Sequence, residues 1–72
     1  MGLPGDPVYD AVLELADDYR SVIHLFYYEQ YSVREIGEIL DISESAVKTR
    51  LSRARGMLKE KLKGEFASAG TV

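Results

Sequence analysis

Both prolines of this chain, Pro4 and Pro7, lie within its first seven residues, and nothing after them forbids a helix until Gly64. Apolar spacing therefore decides the fold, and it repeats at three and four residues throughout. Asp6 followed by Pro7 reads as a helix cap with proline in the first turn, where its missing N–H is harmless. Val8, Ala11, Val12 and Leu15 continue as a first amphipathic helix expected to end near Asp17. The stretch from Asp18 to about Gln30 carries Tyr19, Val22, Ile23, Leu25, Phe26 and Tyr27 around most of its circumference, which predicts a central helix. Ser32 and Glu35 form a capping-box pattern ahead of a short third helix with the stripe Val33, Ile36, Ile39 and Leu40. After "DISES", Ser43 caps a fourth helix whose stripe is Val47, Leu51, Ala54, Leu58 and Leu62, ending near Lys63 with Gly64 as its C-cap.

No strand pattern or repeat interrupts this series, so the reading is an all-α, small four-helix domain with a C-terminal helix-turn-helix. Residues 1–7 are read as a flexible lead-in, 8–63 as the domain and 64–72 as a disordered tail. The third and fourth helices meet across a very short turn, with Gly37 where two backbones must come close and Asp41 suited to left-handed angles. At 72 residues the chain forms one small domain, and domains of that size bury only about 60% of their unfolded surface, so nearly every apolar residue must contribute. With no cysteine, neither a disulfide framework nor a Cys-based zinc site can staple it. There is no apolar run of membrane-spanning length and no signal-peptide pattern at the N-terminus, and we expect a cytoplasmic protein with no membrane partner.

Charge is distributed unevenly along the chain. Residues 1–44 hold ten acidic side chains against Arg20 and Arg34, a net of −8; residues 45–72 hold seven basic against Glu60 and Glu65, a net of +5. The segment "AVKTRLSRAR", Ala46 to Arg55, has four cations and no anion. Such asymmetry suggests that one element meets a nucleic acid or an acidic surface. With the apolar stripe of the fourth helix turned inward, a rotation of about 100° per residue sends Lys48, Thr49, Ser52, Arg53, Gly56 and Lys59 to the opposite side. Arg50 and Arg55 flank the stripe. Long cations and short hydroxyls on the second helix of a helix-turn-helix suit a major groove, where Arg or Lys pairs with guanine and Ser or Thr reaches base or phosphate. Ser43 and Ser45 stand at that helix's N-terminus, where free N–H groups and the dipole favour phosphate. Gly56 is read as a tolerated helix defect.

The run "YRSVIHLFYYEQYSVREIGEILDISESAVKTRLSRARGMLKEKL" resembles region 4 of bacterial RNA polymerase sigma factors, especially the extracytoplasmic-function type. The resemblance runs from about Leu15 to Leu62, and "YSVREIGEIL", "ISESAVKTRLSRAR" and "VIHLFYYE" are its most specific parts. It implies a winged-helix-like, three-helical core. It also implies recognition of the minus-35 promoter element by the last helix, and docking on the flap of the polymerase beta subunit. Position by position, Lys48, Thr49, Ser52 and Arg53 match the family's base- and backbone-contacting sites, with Arg50 and Arg55 as phosphate or supporting contacts. Together with Ser43, Ser45 and Lys59 these make the expected DNA-binding set. Two departures look tolerable: Ala16 where the family commonly has proline, and Asp41 where it commonly has glycine. The family's polymerase-core-binding domain is missing, so the chain is expected to be an excised C-terminal domain or a free-standing relative, unable to initiate transcription alone.

The implied partners are double-stranded promoter DNA and RNA polymerase, with an anti-sigma factor as a further protein partner and no small-molecule substrate. Two alternatives stand beside this reading: a protein-interaction module of sigma-like fold, and a small dimeric helix-turn-helix regulator. An enzyme is disfavoured, because the sequence offers no nucleophile–base pair, metal cluster or phosphate loop, and no cofactor is implied. His24, the single histidine, is read as a surface or boundary residue. Tyr27, Tyr28 and Tyr31 are read as core and lid, and Asp10, Glu14, Asp17 and Asp18 as a solvated acidic face.

Overall fold

The structure, a computed structural model, describes the backbone of residues 6–70 and the side chains of residues 6–64. Residues 1–5 of the expected lead-in and 71–72 of the expected tail lie outside the described residues. Among the described residues four α-helices and one π-helical turn follow in order: α1 (Pro7–Leu13), α2 (Asp17–Ile23), the π-turn (His24–Tyr28), α3 (Val33–Leu40) and α4 (Glu44–Gly70).

The N-terminus of α1 forms as its residues dictate. The Asp6 carboxylate accepts from the backbone N–H of Val8 at 2.9 Å and of Tyr9 at 3.3 Å, and proline follows it. The helix therefore starts at Pro7, inside the segment expected to be a lead-in. It also ends sooner than periodicity suggests, at Leu13 instead of near Asp17. The reason lies at Ala16, which takes an extended backbone (φ −61°, ψ 155°) and opens α2. Asp17 and Asp18 then sit in the first turn of α2, where carboxylates complement the helix dipole. Ala16 stands where the resemblance expects proline, and its φ is one that proline would also adopt.

At the end of α2 the ladder widens: Glu29 N–H donates to His24 O at 3.0 Å, a five-residue span. Gln30 (φ 64°) then reverses the chain, and Tyr31 N–H returns to Leu25 O at 2.9 Å. The capping box of α3 is complete, with Glu35 N–H donating to Ser32 Oγ at 3.1 Å and Ser32 N–H to Glu35 Oε1 at 2.8 Å. The Ser32 backbone N–H, and after it the Ser32 side chain, bond the ionised form and hold the Glu35 carboxyl below its ordinary range. A carboxylate with a lowered folded-state pKa stabilises the fold above its unfolded value, and that contribution is lost as pH falls through the folded one. Glu35→Gln, which keeps an acceptor but not the charge, is accordingly expected to flatten the acid limb of thermal stability against pH. Wild type and variant should converge once Glu35 is protonated, and a gap persisting in acid would contradict the account.

Asp41 ends α3 in the left-handed conformation (φ 58°, ψ 49°), as its side chain permits. Ile42 N–H donates to Gly37 O at 2.9 Å, and Ser43 Oγ caps α4 by accepting from Ala46 N–H at 3.0 Å. A three-residue turn thus joins two capped helices. Gly37 is buried, and a Cβ built there would stand 2.8 Å from Ile42 O, so only glycine fits without displacing the turn.

α4 is the spine, packing against α1, α2 and α3. Val47, Leu51 and Ala54 meet Val12, Leu15, Val22, Ile23 and Ile36 in one core, flanked by Tyr19, Leu25, Phe26, Tyr28, Val33, Leu40, Ile42 and Leu58. Burial, with the nearby Asp6 carboxylate and Tyr9, raises the Tyr28 phenol above its ordinary pKa. Several expected core positions are outside it. Ile39 is 50% exposed and Val8 42%, because each lies at the edge of its stripe where no further layer covers it. Tyr27 at 49% and Tyr31 at 39% likewise leave the core-and-lid role to Tyr28.

The helix does not stop at Gly64. A Cβ at that position would meet nothing within 4 Å, and one interior glycine costs only about 1 kcal/mol relative to alanine. Glu65, Ala67 and Ala69 are compatible with helix, and α4 continues to Gly70, past its expected end near Lys63. No helix among the described residues is long and apolar enough to cross a membrane.

Candidate nucleic-acid interface

The burial of Val47, Leu51 and Ala54 fixes the rotation of α4. Lys48, Thr49, Ser52, Arg53 and Gly56 are then exposed on the side away from the body, and Lys59 is exposed at the border of that side, over the groove toward α1. Lys48, Arg53 and Lys59 make no hydrogen bond or ion pair with any described residue, so their charges are turned to solvent. Three other cations behave differently. Arg20 pairs with Asp17, Arg34 with Glu38 at 3.7 Å, and Lys61 Nζ with Glu14 Oε1 at 3.1 Å. The acidic half of the molecule occupies those cations, which leaves the outer side of α4 as the concentrated positive surface.

The other expected site residues divide into three cases. Ser43 and Ser45 are exposed at the head of α4, but the Ser43 oxygen already accepts from Ala46 N–H, leaving its hydroxyl hydrogen to donate. Glu44 in the same turn opposes an anion there, so the helix terminus is a weaker phosphate seat than the spacing implies. Arg50 is half-buried beside the stripe. Arg55 is committed sideways: its Nε–H donates to the Tyr27 hydroxyl at 2.6 Å, and its guanidinium carbon lies 5.8 Å from the Tyr27 ring and 6.0 Å from that of Phe26. The sequence reading placed Arg55 at the flank of the stripe but gave it no partner. No local pattern could supply one, because Tyr27 is 28 residues away.

Below Arg55 and Lys59 an apolar groove of about 470 Å³ opens between α1, the π-turn and α4, with Val8, Tyr28, Leu58 and Leu62 in its walls. His24 is exposed, stacks on Tyr28 at 5.6 Å and meets Glu29 at 3.1 Å, in keeping with a surface role.

The sequence matches the family described as "Sigma-70, region 4" over residues 6–58. It is 48% identical over 52 residues to the ECF RNA polymerase sigma factor SigW of Bacillus subtilis (strain 168), covering 72% of this chain and 28% of that protein. It is 38% identical over 53 residues to the RNA polymerase sigma factor FliA of Pseudomonas aeruginosa, covering 74% of this chain and 22% of the relative. It is 41% identical over 46 residues to the B. subtilis ECF RNA polymerase sigma factor SigM, covering 64% and 28%. The chain thus spans about a quarter of the length of these curated relatives. A match over most of its length, on a helix-turn-helix whose second helix carries the charge, places this chain in the sigma-70 region 4 family.

Proposed function

We propose that the domain binds promoter DNA by inserting the N-terminal half of α4 into the major groove at the minus-35 element, and that it works as part of an RNA polymerase holoenzyme. One observation carries the reading: Lys48, Thr49, Ser52 and Arg53 share an exposed face of the second helix of a helix-turn-helix, with no described residue neutralising Lys48 or Arg53. Phosphate contacts by the cations supply affinity and register, and the few side chains nearest the bases supply preference. Ser43, Ser45, Arg50, Arg55 and Lys59 support at the borders.

Contact with polymerase, at the beta flap or elsewhere, and with an anti-sigma factor falls to the body of the domain. Leu13 and Ile39, each 50% exposed, offer apolar surface away from the cationic face. The salt dependence of duplex binding tests the DNA reading. With about five phosphates neutralised, log K is expected to fall with log salt at a slope of roughly −4 to −5. A slope near zero on promoter duplex would reject phosphate binding and favour a purely protein-binding module.

A further inference from the structure

Among the described residues Tyr27 is the most exposed large aromatic, and the core does not explain its placement. It is half exposed on the π-turn, yet its hydroxyl meets Arg55 at 2.6 Å and its ring stands edge-on to Phe26 with centroids 5.0 Å apart. Together Phe26 and Tyr27 make an aromatic corner beside the guanidinium, the arrangement in which a ring quadrupole attracts a cation. The bond uses Arg55 Nε–H. The Nη1 and Nη2 groups, with four N–H donors, have no hydrogen-bond partner among the described residues.

We infer that Tyr27 is a positioning residue for DNA binding, holding Arg55 at the border of the cationic face so that its outer fork meets a backbone phosphate. This rests on the DNA reading above. A free arginine must give up rotamer freedom when it binds. An arginine already fixed through Nε has given up much of it beforehand, and its planar fork suits a phosphate. Tyr27 reaches α4 from the π-turn, a local irregularity of the kind that frequently accompanies function.

A double-mutant cycle on a synthetic duplex of mixed sequence at low salt tests this, with Tyr27→Phe, Arg55→Gln and the pair. Tyr27→Phe keeps the ring and removes only the hydroxyl. We expect it to weaken binding about fivefold with the salt slope unchanged, since the phosphate is still met. Arg55→Gln should weaken binding about tenfold and make the slope less negative by about one. In the Arg55→Gln background Tyr27→Phe should add nothing. In the free protein, the Arg55 Nε–H resonance should be resolved in wild type and lost to fast exchange in Tyr27→Phe. Equal losses from Tyr27→Phe in both backgrounds, or no loss alone while wild type binds, would overturn the inference and leave the DNA reading standing. Failure of the wild-type chain to bind duplex would overturn both.

Discussion

Reversing Lys48 and Arg53 together to glutamate is expected to remove duplex binding while leaving the fold intact. Both side chains are exposed and neither pairs with a described residue, so the substitutions break no contact that holds α4 to the body. Surface changes of this kind usually alter stability by no more than about 0.5 kcal/mol. The effect on DNA is far larger, because each change deletes a cation and sets an anion against phosphate. Losing two such contacts costs at least about 3 kcal/mol, or roughly 150-fold in affinity. Lys61→Glu is the per-site control: it carries the charge change of one of the two reversals but lies on the body side, paired with Glu14. Binding titrations should show near-wild-type affinity for Lys61→Glu and none measurable for the double reversal. A loss from Lys61→Glu about half as large in free energy as that from the double reversal would mean that net charge alone governs binding. The same variants separate the rival class, since a module that binds only protein would keep its partner after Lys48 and Arg53 are reversed.

The second large effect concerns the turn that aims α4. Gly37→Ala would normally stabilise a helix by about 1 kcal/mol. Here the added methyl meets Ile42 O at 2.8 Å, and that carbonyl belongs to the backbone of a three-residue turn already bonded to Gly37 O. Overpacking of this sort costs about 1–3 kcal/mol, and a rigid backbone neighbour puts it at the upper end. We expect a net loss of about 2 kcal/mol and a drop in Tm of roughly 8–16 °C for a domain of this size. Gly56→Ala on α4 provides the contrast: no atom lies within 4 Å of its added methyl, so it should gain about 1 kcal/mol. Thermal unfolding of the two variants should therefore move in opposite directions. Parallel stabilisation would mean that the α3–α4 approach is looser than described.

How much of this was legible in the sequence depends on whether the signal was local. The Ser32–Glu35 box, the left-handed Asp41, the Ser43 cap and the buried side of α4 are set by neighbours within a turn or two, and each stands where the spacing put it. From them the rotation of α4 follows, and with it the exposure of Lys48, Thr49, Ser52 and Arg53. The misplaced boundaries have the opposite character. Val8 to Leu15 keeps helical spacing straight through the break at Leu13, because the chain turns there to bring α2 onto the same core, and periodicity is blind to that demand. Ile39, Tyr27 and Tyr31 read as inward because a domain of this size has few apolar residues to leave out, yet the four packed helices have no further layer to cover them. The Tyr27–Arg55 bond joins residues 28 positions apart, and neither it nor the π-turn is announced by the spacing of the aromatic residues.

The central claim is that one flank of α4 meets the duplex. Backbone and side-chain NMR shifts of the labelled domain, followed during titration with promoter duplex, test it most directly. The account predicts perturbations concentrated at Lys48, Thr49, Ser52, Arg53, Gly56 and Lys59, with α1 and the acidic surface of α2 silent. Perturbations centred on Leu13, His24 and Ile39, with the outer side of α4 unmoved, would contradict it.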